Sequence, residues 1–243
     1  MKDTLQNIIQ YTSNIGSIDV IKVTGTETET TINALSDDKS VIITGKMINP
    51  HPEFIGVFGM PNLSKLKTIL GFDDYDDKSI ITMIRKDRDG VMTPDTIHFQ
   101  TSTGDFVNDY RLMAKVVIEE KVRNVSFKGT SWNVEFEPSV SGIQRLKKQS
   151  QANSEEGTFT IKTENNDLKI YFGDVSSHSG NFVFQPGITG TLTKSWKWPV
   201  AVVANILGLP GDKLFRISDQ GAAEITVDSG LAVYQYLLPA QTK

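Results

Sequence analysis

The chain contains no cysteine. This excludes a disulfide framework, a cysteine nucleophile and thiolate metal sites, and it fits a reducing compartment. Histidine is scarce: His51, His98 and His178 lie far apart, with no H-E-x-x-H or comparable spacing, so each reads as a surface or strand residue rather than a metal ligand. Neither a GxxxxGKS/T phosphate loop nor a GxSxG elbow occurs, so the signatures of nucleotide hydrolysis and of serine hydrolases are missing. No window approaches about eighteen uninterrupted apolar residues, and MKDTLQNIIQ has no apolar signal core. Together these absences predict a cytoplasmic protein with no membrane partner, no metal, no cofactor and no catalytic centre.

What is present describes a soluble globular protein. The 243 residues, 38% of them hydrophobic and 22% charged, suffice for two domains of ordinary size. A net charge of −4, from 25 cations and 29 acids, argues against a surface coated in phosphate contacts. Yet IQRLKKQSQ, residues 143–151, carries three cations and no acid. The distribution of charge therefore matters more than its sum.

Strand signals dominate. Alternating or β-branched runs cover 18–24, 30–35, 41–48, 80–85, 96–101, 106–113, 132–137, 158–163, 168–173, 180–185, 214–218, 223–228 and 232–238. Tight turns separate them at DRDG (87–90), STGD (102–105), ENND (164–167) and DSG (228–230). Four segments read as helices. In Asp3 to Ser13, Leu5, Ile8, Ile9 and Thr12 share one face, and Asp3, Gln6, Asn7 and Gln10 share the other. In Pro61 to Leu70, proline opens the helix, Leu63, Leu66 and Leu70 form the stripe, and Ser64, Lys65, Lys67 and Thr68 oppose it. In Ser139 to Gln151, Ser139 serves as N-cap above Val140, Ile143 and Leu146, while Ser141, Arg145 and Lys148 point away and Lys147 sits at the stripe's edge. Trp198 to Leu207 is apolar nearly all round and should be buried, with Lys194 and Lys197 just before it.

The chain repeats itself. LKTILGF at 66–72 returns as VANILGL at 203–209, an offset of 137 residues, and the helices near 3 and 139 stand about as far apart. DTIHFQTSTGDFVNDYRLM (95–113) parallels GAAEITVDSGLAVYQYLLP (221–239). Each half reads helix, strands, helix, strands. The expected domains are residues 1–113 and 125–243, joined by a linker at 114–124 whose AKVVIEEKV is apolar and charged and reads partly as strand. The fold class is α+β, two similar domains each with two short helices packed on antiparallel sheets.

In that order of elements, and locally in the ending DKLFRISDQGAAEITVDSGLAVYQYLLPA, the chain resembles the DNA polymerase sliding clamps, in particular the phage clamps and proliferating cell nuclear antigen. The resemblance implies a processivity factor for DNA replication: a homotrimer closed head to tail into a ring, with sheets outside and helices around a hole that holds double-stranded DNA. It also implies an ATP-driven clamp loader, and polymerase and other replication proteins that dock through short peptide tails. For a bacteriophage protein the place of action would be the host cytoplasm.

The residues bear on this independently. Around the four helices stand Lys2, Lys65, Lys67, Arg145, Lys147, Lys148, Lys194 and Lys197 against the single acid Asp3, leaving 17 cations against 28 acids elsewhere. A positive bore and an acidic exterior would confine DNA to the hole, and phosphate contacts without base readout would permit sliding. The expected DNA contacts are Lys65, Lys67, Arg145, Lys147, Lys148, Lys194 and Lys197. From the resemblance, the partner-peptide pocket falls on Val116, Val117 and Ile118 of the linker and on Tyr236, Leu237, Leu238, Pro239 and Ala240. Each of these is also a candidate for ordinary strand core.

Other features have plainer readings. FDDYDDK at 72–78 lacks the spaced D-x-D-x-D-G calcium loop and reads as a solvated acidic turn. The aromatics of SWKW (195–198) suit packing at a sheet and helix junction more than base stacking. Two alternatives stay open: a non-enzymatic structural or assembly protein of a viral particle, and a hydrolase or carbohydrate-active enzyme built on a carboxylate pair, for which no pair stands out.

Overall fold

Amphipathic periodicity places the first element. With Leu5, Ile8, Ile9, Tyr11 and Thr12 on one face, residues Lys2–Thr12 form helix α1 and bury that face. The computed structural model describes residues 1–88, 90–122, 129–174, 176 and 178–241. The chain divides into two units, Met1–Asp37 with Ile43–Val125 and Ser229–Tyr234, and Asp38–Ile42 with Ser126–Asp228 and Gln235–Lys243. The expected junction between 124 and 125 lies outside the described residues.

In the first unit, α1 is followed by β1 (Val20–Gly25), β2 (Thr30–Leu35), β3 (Ile42–Met47) and β4 (Gly56–Pro61). Then come α2 (Leu63–Leu70), β5 (Ile80–Arg88), β6 (Val91–Gln100), β7 (Val107–Arg111), β8 (Met113–Ala114) and α3 (Lys115–Lys121). One sheet runs in the order β8-β4-β1-β2-β3 and the other β5-β6-β7, with β1–β2, β1–β4, β4–β8, β5–β6 and β6–β7 paired antiparallel. Strict alternation in β2, with Thr30, Ile32 and Ala34 buried, turns one sheet face inward. Tyr234 also belongs here: its ring stacks on Tyr11 at 4.9 Å, and its hydroxyl donates to Asn7 Oδ1 at 2.9 Å.

The second unit holds β9 (Val134–Phe136), α4 (Val140–Ala152), β10 (Thr158–Glu164), β11 (Asp167–Gly173) and β12 (Ser179–Gln185). It continues through β13 (Lys197–Pro199), α5 (Val200–Leu207), β14 (Asp212–Ser218), β15 (Ala222–Asp228) and, from Gln235 onward, β16 (Ala232–Pro239). Its sheets run β12-β11-β10-β13 and β16-β15-β14-β9. Phe136, Phe184 and Phe215 meet edge to face or tilted at the centre of this core, with ring centroids 5.4 to 6.5 Å apart. The internal repeat is literal for the second helix of each half: Leu63–Leu70 plus the offset of 137 gives Val200–Leu207.

Four expectations change. The run Lys115–Lys121 is a helix, not a strand, because Ile118 packs beneath it against Gly59 of β4, where any Cβ would come within 2.8 Å of Ile118 Cδ1. Pro61 closes β4 opposite Val20 instead of opening α2; Asn62, in the left-handed region at φ 52°, caps that helix by accepting from the Lys65 amide at 3.1 Å. Strand β4, IGVFGMP in its neighbourhood, has two glycines that mask its alternation in the sequence. Finally, Lys197–Pro199 pairs with β10 as β13, so helix α5 begins at Val200 and Trp198 is a buried strand residue.

Candidate nucleic-acid interface

Each unit sets a pair of helices side by side, α1 with α2 and α4 with α5. Their buried stripes fix which residues face out. On α2, Leu63, Leu66, Ile69 and Leu70 are buried, so Ser64, Lys65, Lys67 and Thr68 are exposed. On α4, Leu146 is buried and Gly142 lies against the backbone of β12, leaving Gln144, Arg145, Lys147 and Lys148 exposed. Ser139 caps α4 by accepting from the Gly142 amide at 3.1 Å, as its position in the sequence leads one to expect. Thus five expected DNA contacts, Lys65, Lys67, Arg145, Lys147 and Lys148, stand on outward helix faces.

The other two do not. Lys194 belongs to a loop that Asp219 pins by accepting from the backbone amides of Thr193 and Lys194, and its ammonium lies 5.9 Å from the Trp196 ring. Lys197 is an exposed residue of strand β13. SWKW accordingly packs: Trp198 is buried, and Trp196 is partly buried and donates its indole N–H to the Asp219 carbonyl at 2.9 Å.

On α1 and α5, the partners of those helices, the exposed residues are neutral apart from Asp3. On α1 and just beyond it, Asp3, Gln6, Gln10 and Asn14 are exposed, and on α5 Ala201 and Asn205. A cleft of about 330 Å³ runs between α1 and α2, lined by Gln6, Ile9, Gln10, Asn14, Lys67 and Leu70. Lys67 Nζ donates to Asn14 Oδ1 across it at 3.3 Å.

Charge is sorted between helices and sheets. Of the 25 cations and 29 acids, six cations and one acid lie in α1, α2, α4 and α5, which leaves 19 cations and 28 acids for the rest of the chain. Among the described residues, none of these helix cations is in an ion pair, whereas Lys46, Lys86, Arg88, Arg111, Lys169 and Arg216, in strands, all are. Helix cations without acid partners keep their charge available to an external anion. One further cation escaped the sequence reading. Lys213, on β14, is pulled below the usual lysine range by burial and by the nearby charge of Lys147, despite the opposing pull of Asp212. Lys147 itself reaches the carboxyl end of α5, its Nζ 3.5 Å from where a side chain on Gly208 would begin. Their proximity depends on the α4–α5 packing, so nothing in the local sequence DKLF signals it.

The expected partner-peptide residues separate by burial. Ile118, Tyr236 and Leu238 are fully buried core, which removes them from any exposed pocket. Val116 and Val117, 71% and 43% exposed, remain open on α3 in the first unit. In the second unit Leu237 and Ala240 are half-buried and Pro239 is exposed. The acidic run after α2 is a loop with Asp73, Asp74, Asp76 and Asp77 exposed, and among the described residues no group of three or more His, Asp or Glu could hold a metal ion. No helix of the described residues is long and apolar enough to cross a membrane.

No protein-family model matches the chain, and no curated protein matches it in sequence. Solved structures do match it. A complex of the C-terminal region of FEN-1 with A. fulgidus PCNA superposes with a TM-score of 0.70 at 10% identity, covering 100% of this chain and 96% of that one. The fold is that of the DNA sliding clamps. PCNA from Thermococcus kodakaraensis and proliferating cellular nuclear antigen from Entamoeba histolytica each give a TM-score of 0.67 at 10% identity, over 99% of this chain and 97% and 96% of theirs. At this identity the likeness establishes the clamp fold across the full length, and it does so where sequence comparison is silent. The clamp fold also gives the two helix pairs a common setting: the same structural pair occurs once per repeat, with its cations on α2 in the first and α4 in the second.

Proposed function

We propose that this chain is a sliding clamp, a non-enzymatic processivity factor that encircles duplex DNA without sequence preference and tethers DNA polymerase and other replication proteins. The observation that carries this is the sorting of charge on the clamp fold: cations without acid partners on the outward faces of α2 and α4, and 28 of the 29 acids outside the four paired helices. Contacts of that kind hold phosphates of any sequence and exchange freely along the duplex.

Ring closure follows from strand edges. Strand β7 ends one sheet of the first unit, and β12 ends one of the second. β12, SGNFVFQ, carries no charge and no proline, the devices that blunt a free edge. Head-to-tail pairing of β7 with β12 of the next copy, closed after three copies, removes both edges and makes the homotrimer. Opening such a ring onto DNA calls for an ATP-driven loader supplied by other chains. Val116 and Val117, on α3 of the first unit, supply exposed apolar surface for the peptide tails of partners. If the chain comes from a bacteriophage, as the sequence resemblance implies, it works in the host cytoplasm.

Topology provides the test. Protein threaded onto a linear duplex and trapped by blocking both ends should stay bound through a high-salt wash and leave when one end is cut. Loss of all protein in the wash with the ends still blocked would refute encirclement.

A further inference from the structure

We propose that the free edge of strand β5 takes up an extended, acidic segment of a partner protein as an added antiparallel strand. The inference rests on the fold alone and gives the first unit a docking place beyond any that the clamp reading requires. Strand β5 ends the sheet β5-β6-β7, and at nine residues it is the longest strand that ends a sheet among the described residues. It carries no proline, and Ile80, Thr82 and Ile84 on one face are exposed, the two isoleucines by 50% and 42%. An edge of that length and composition is a template for another strand. The second unit shows what fills the corresponding edge. Ile81 and Met83 pair with Phe99 and Ile97 of β6 as Phe215 and Ile217 pair with Ile225 and Ala223 of β15, at the same offset of 126 residues that relates 95–113 to 221–239. There β9 covers the edge, with Val134, Glu135 and Phe136 antiparallel to Ile217, Arg216 and Phe215. Among the described residues no strand covers Ile81, Thr82 and Met83 in that way.

The covered edge specifies the occupant. Val134 and Phe136 are buried beside Ile217 and Phe215, while Glu135 on the other face meets Arg216 Nε at 2.6 Å. In the first unit Ile81, the counterpart of Phe215, is only half-buried, so an apolar side chain opposite it would remove further apolar surface from water. Further along β5 the exposed face turns positive. Lys86, Arg88 and, on β7, Arg111 converge on the single carboxylate of Asp95, the ammonium at 3.9 Å and the guanidinium nitrogens at 3.0 and 2.8 Å. Asp87 falls on the opposite face and accepts from the Gly90 amide at 2.9 Å. Among the described residues, three cations thus share one buried acid, and their outward N–H groups are left for the carboxylates of another chain. Alternation along a strand then sets the pattern: a segment with apolar residues opposite Ile81 and Met83 brings acids on its other face opposite Lys86 and Arg88. A free carboxylate would leave the edge unpaired. A second copy of β5 would supply no acid, because that face carries only Ile80, Thr82, Ile84, Lys86 and Arg88.

The probe is the synthetic peptide ESESTVTFV, which antiparallel to β5 sets its glutamates opposite Arg88 and Lys86, its first valine opposite Met83 and its phenylalanine opposite Ile81. A second peptide carries lysine in place of both glutamates. Amide hydrogen exchange of the full chain, read by mass spectrometry, should slow in 80–84 when the acidic peptide is added and stay unchanged in 212–218, whose edge β9 already covers. One charge about 6 Å from another in water changes affinity by about threefold. Lys86→Glu, a reversal, should therefore weaken binding of the fluorescently labelled acidic peptide by about tenfold and strengthen that of the lysine peptide, with circular dichroism to confirm the fold. Equal binding of the two peptides by the parent protein, or no slowing of exchange in 80–84 at millimolar acidic peptide, would overturn the proposal, and neither result depends on a variant that folds. Slowing in 80–84 that grows with protein concentration in the absence of peptide would give the edge to a second copy and overturn it likewise. No DNA enters this assay, so its failure leaves the test of encirclement on end-blocked duplex untouched.

Discussion

Gly142 ought to resist the substitution that stabilises most helical glycines. Replacing an exposed mid-helix glycine by alanine ordinarily gains about 0.8–1.0 kcal/mol, because alanine restricts the unfolded chain and costs nothing in the helix. Here the added Cβ would lie 2.3 Å from the carbonyl oxygen of Phe184, well inside van der Waals contact. That oxygen cannot swing aside. Phe184 falls where the β11–β12 register shifts, and its ring is locked between Phe136 and Phe215 in the core. Helix α4 must therefore move outward by about 1 Å, at a cost of about 1–3 kcal/mol for overpacking. Subtracting the propensity gain leaves Gly142→Ala destabilised by up to about 2 kcal/mol, with none of the usual gain. Urea unfolding followed by circular dichroism measures this as a lower midpoint with an unchanged slope. Because α4 carries Arg145, Lys147 and Lys148, affinity for duplex DNA should fall as well. A gain near 1 kcal/mol would refute the reasoning, since it would mean that α4 does not rest on the Phe184 carbonyl.

Other perturbations separate the remaining claims. Arg145→Glu with Lys148→Glu should sharply weaken DNA binding while leaving the native mass and the unfolding midpoint nearly unchanged, since both side chains are exposed; a collapsed fold would show them to be structural. Asp95 is 1% exposed and faces Arg88 at 3.0 Å, Arg111 at 2.8 Å and the Thr96 hydroxyl at 3.1 Å. Burial pushes its carboxyl up, but the hydrogen bonds from Arg88 and Thr96 and the charges of Arg111 and Lys86 outweigh it and hold the pKa below the usual range. Its stabilisation is therefore complete above the unfolded pKa of about 3.9 and is lost as pH falls through the folded value. Asp95→Asn should cost about 1–2 kcal/mol at pH 7, a figure kept small because the arginines are partly solvated, and the difference from parent should vanish in acid. His98 Nδ1 meets Asp109 Oδ1 at 2.7 Å, and that hydrogen bond, against the opposing effect of burial, raises the imidazole pKa. The stabilisation is full below about pH 6.5 and disappears as pH rises through the folded pKa; NMR titration should place His98 above its usual value, and Asp109→Asn should return it.

Much of this was legible in the residues because it is local. The stripes Leu5, Ile8, Ile9 and Leu63, Leu66, Leu70 announce helices by period alone, Ser139 announces a cap, and the alternation of β2 announces a half-buried strand. The outward placement of Lys65, Lys67, Arg145 and Lys148 follows from the same periodicity. What escaped depended on distant partners. The helix at Lys115–Lys121 rests on Ile118 meeting a glycine 59 residues before it in sequence, and β13 exists because Thr158, Phe159 and Thr160 pair with it. Burial of Tyr236 and Leu238 is likewise set by packing, since an alternating strand does not declare how deep its inward face lies. Lys213 joined Lys147 only through α4–α5 packing, and the amides of α1, legible as a polar face, line a cleft only because Lys67 and Leu70 stand opposite them.

Single-particle imaging of the purified protein, with native mass measured over a range of concentrations, tests the central claim most directly. A sliding clamp should appear as a six-lobed ring with a central hole and a mass near three times 26.9 kDa. A compact monomer or a solid oligomer that persists at high concentration would contradict it, and would leave the cations of α2 and α4 as solvated surface.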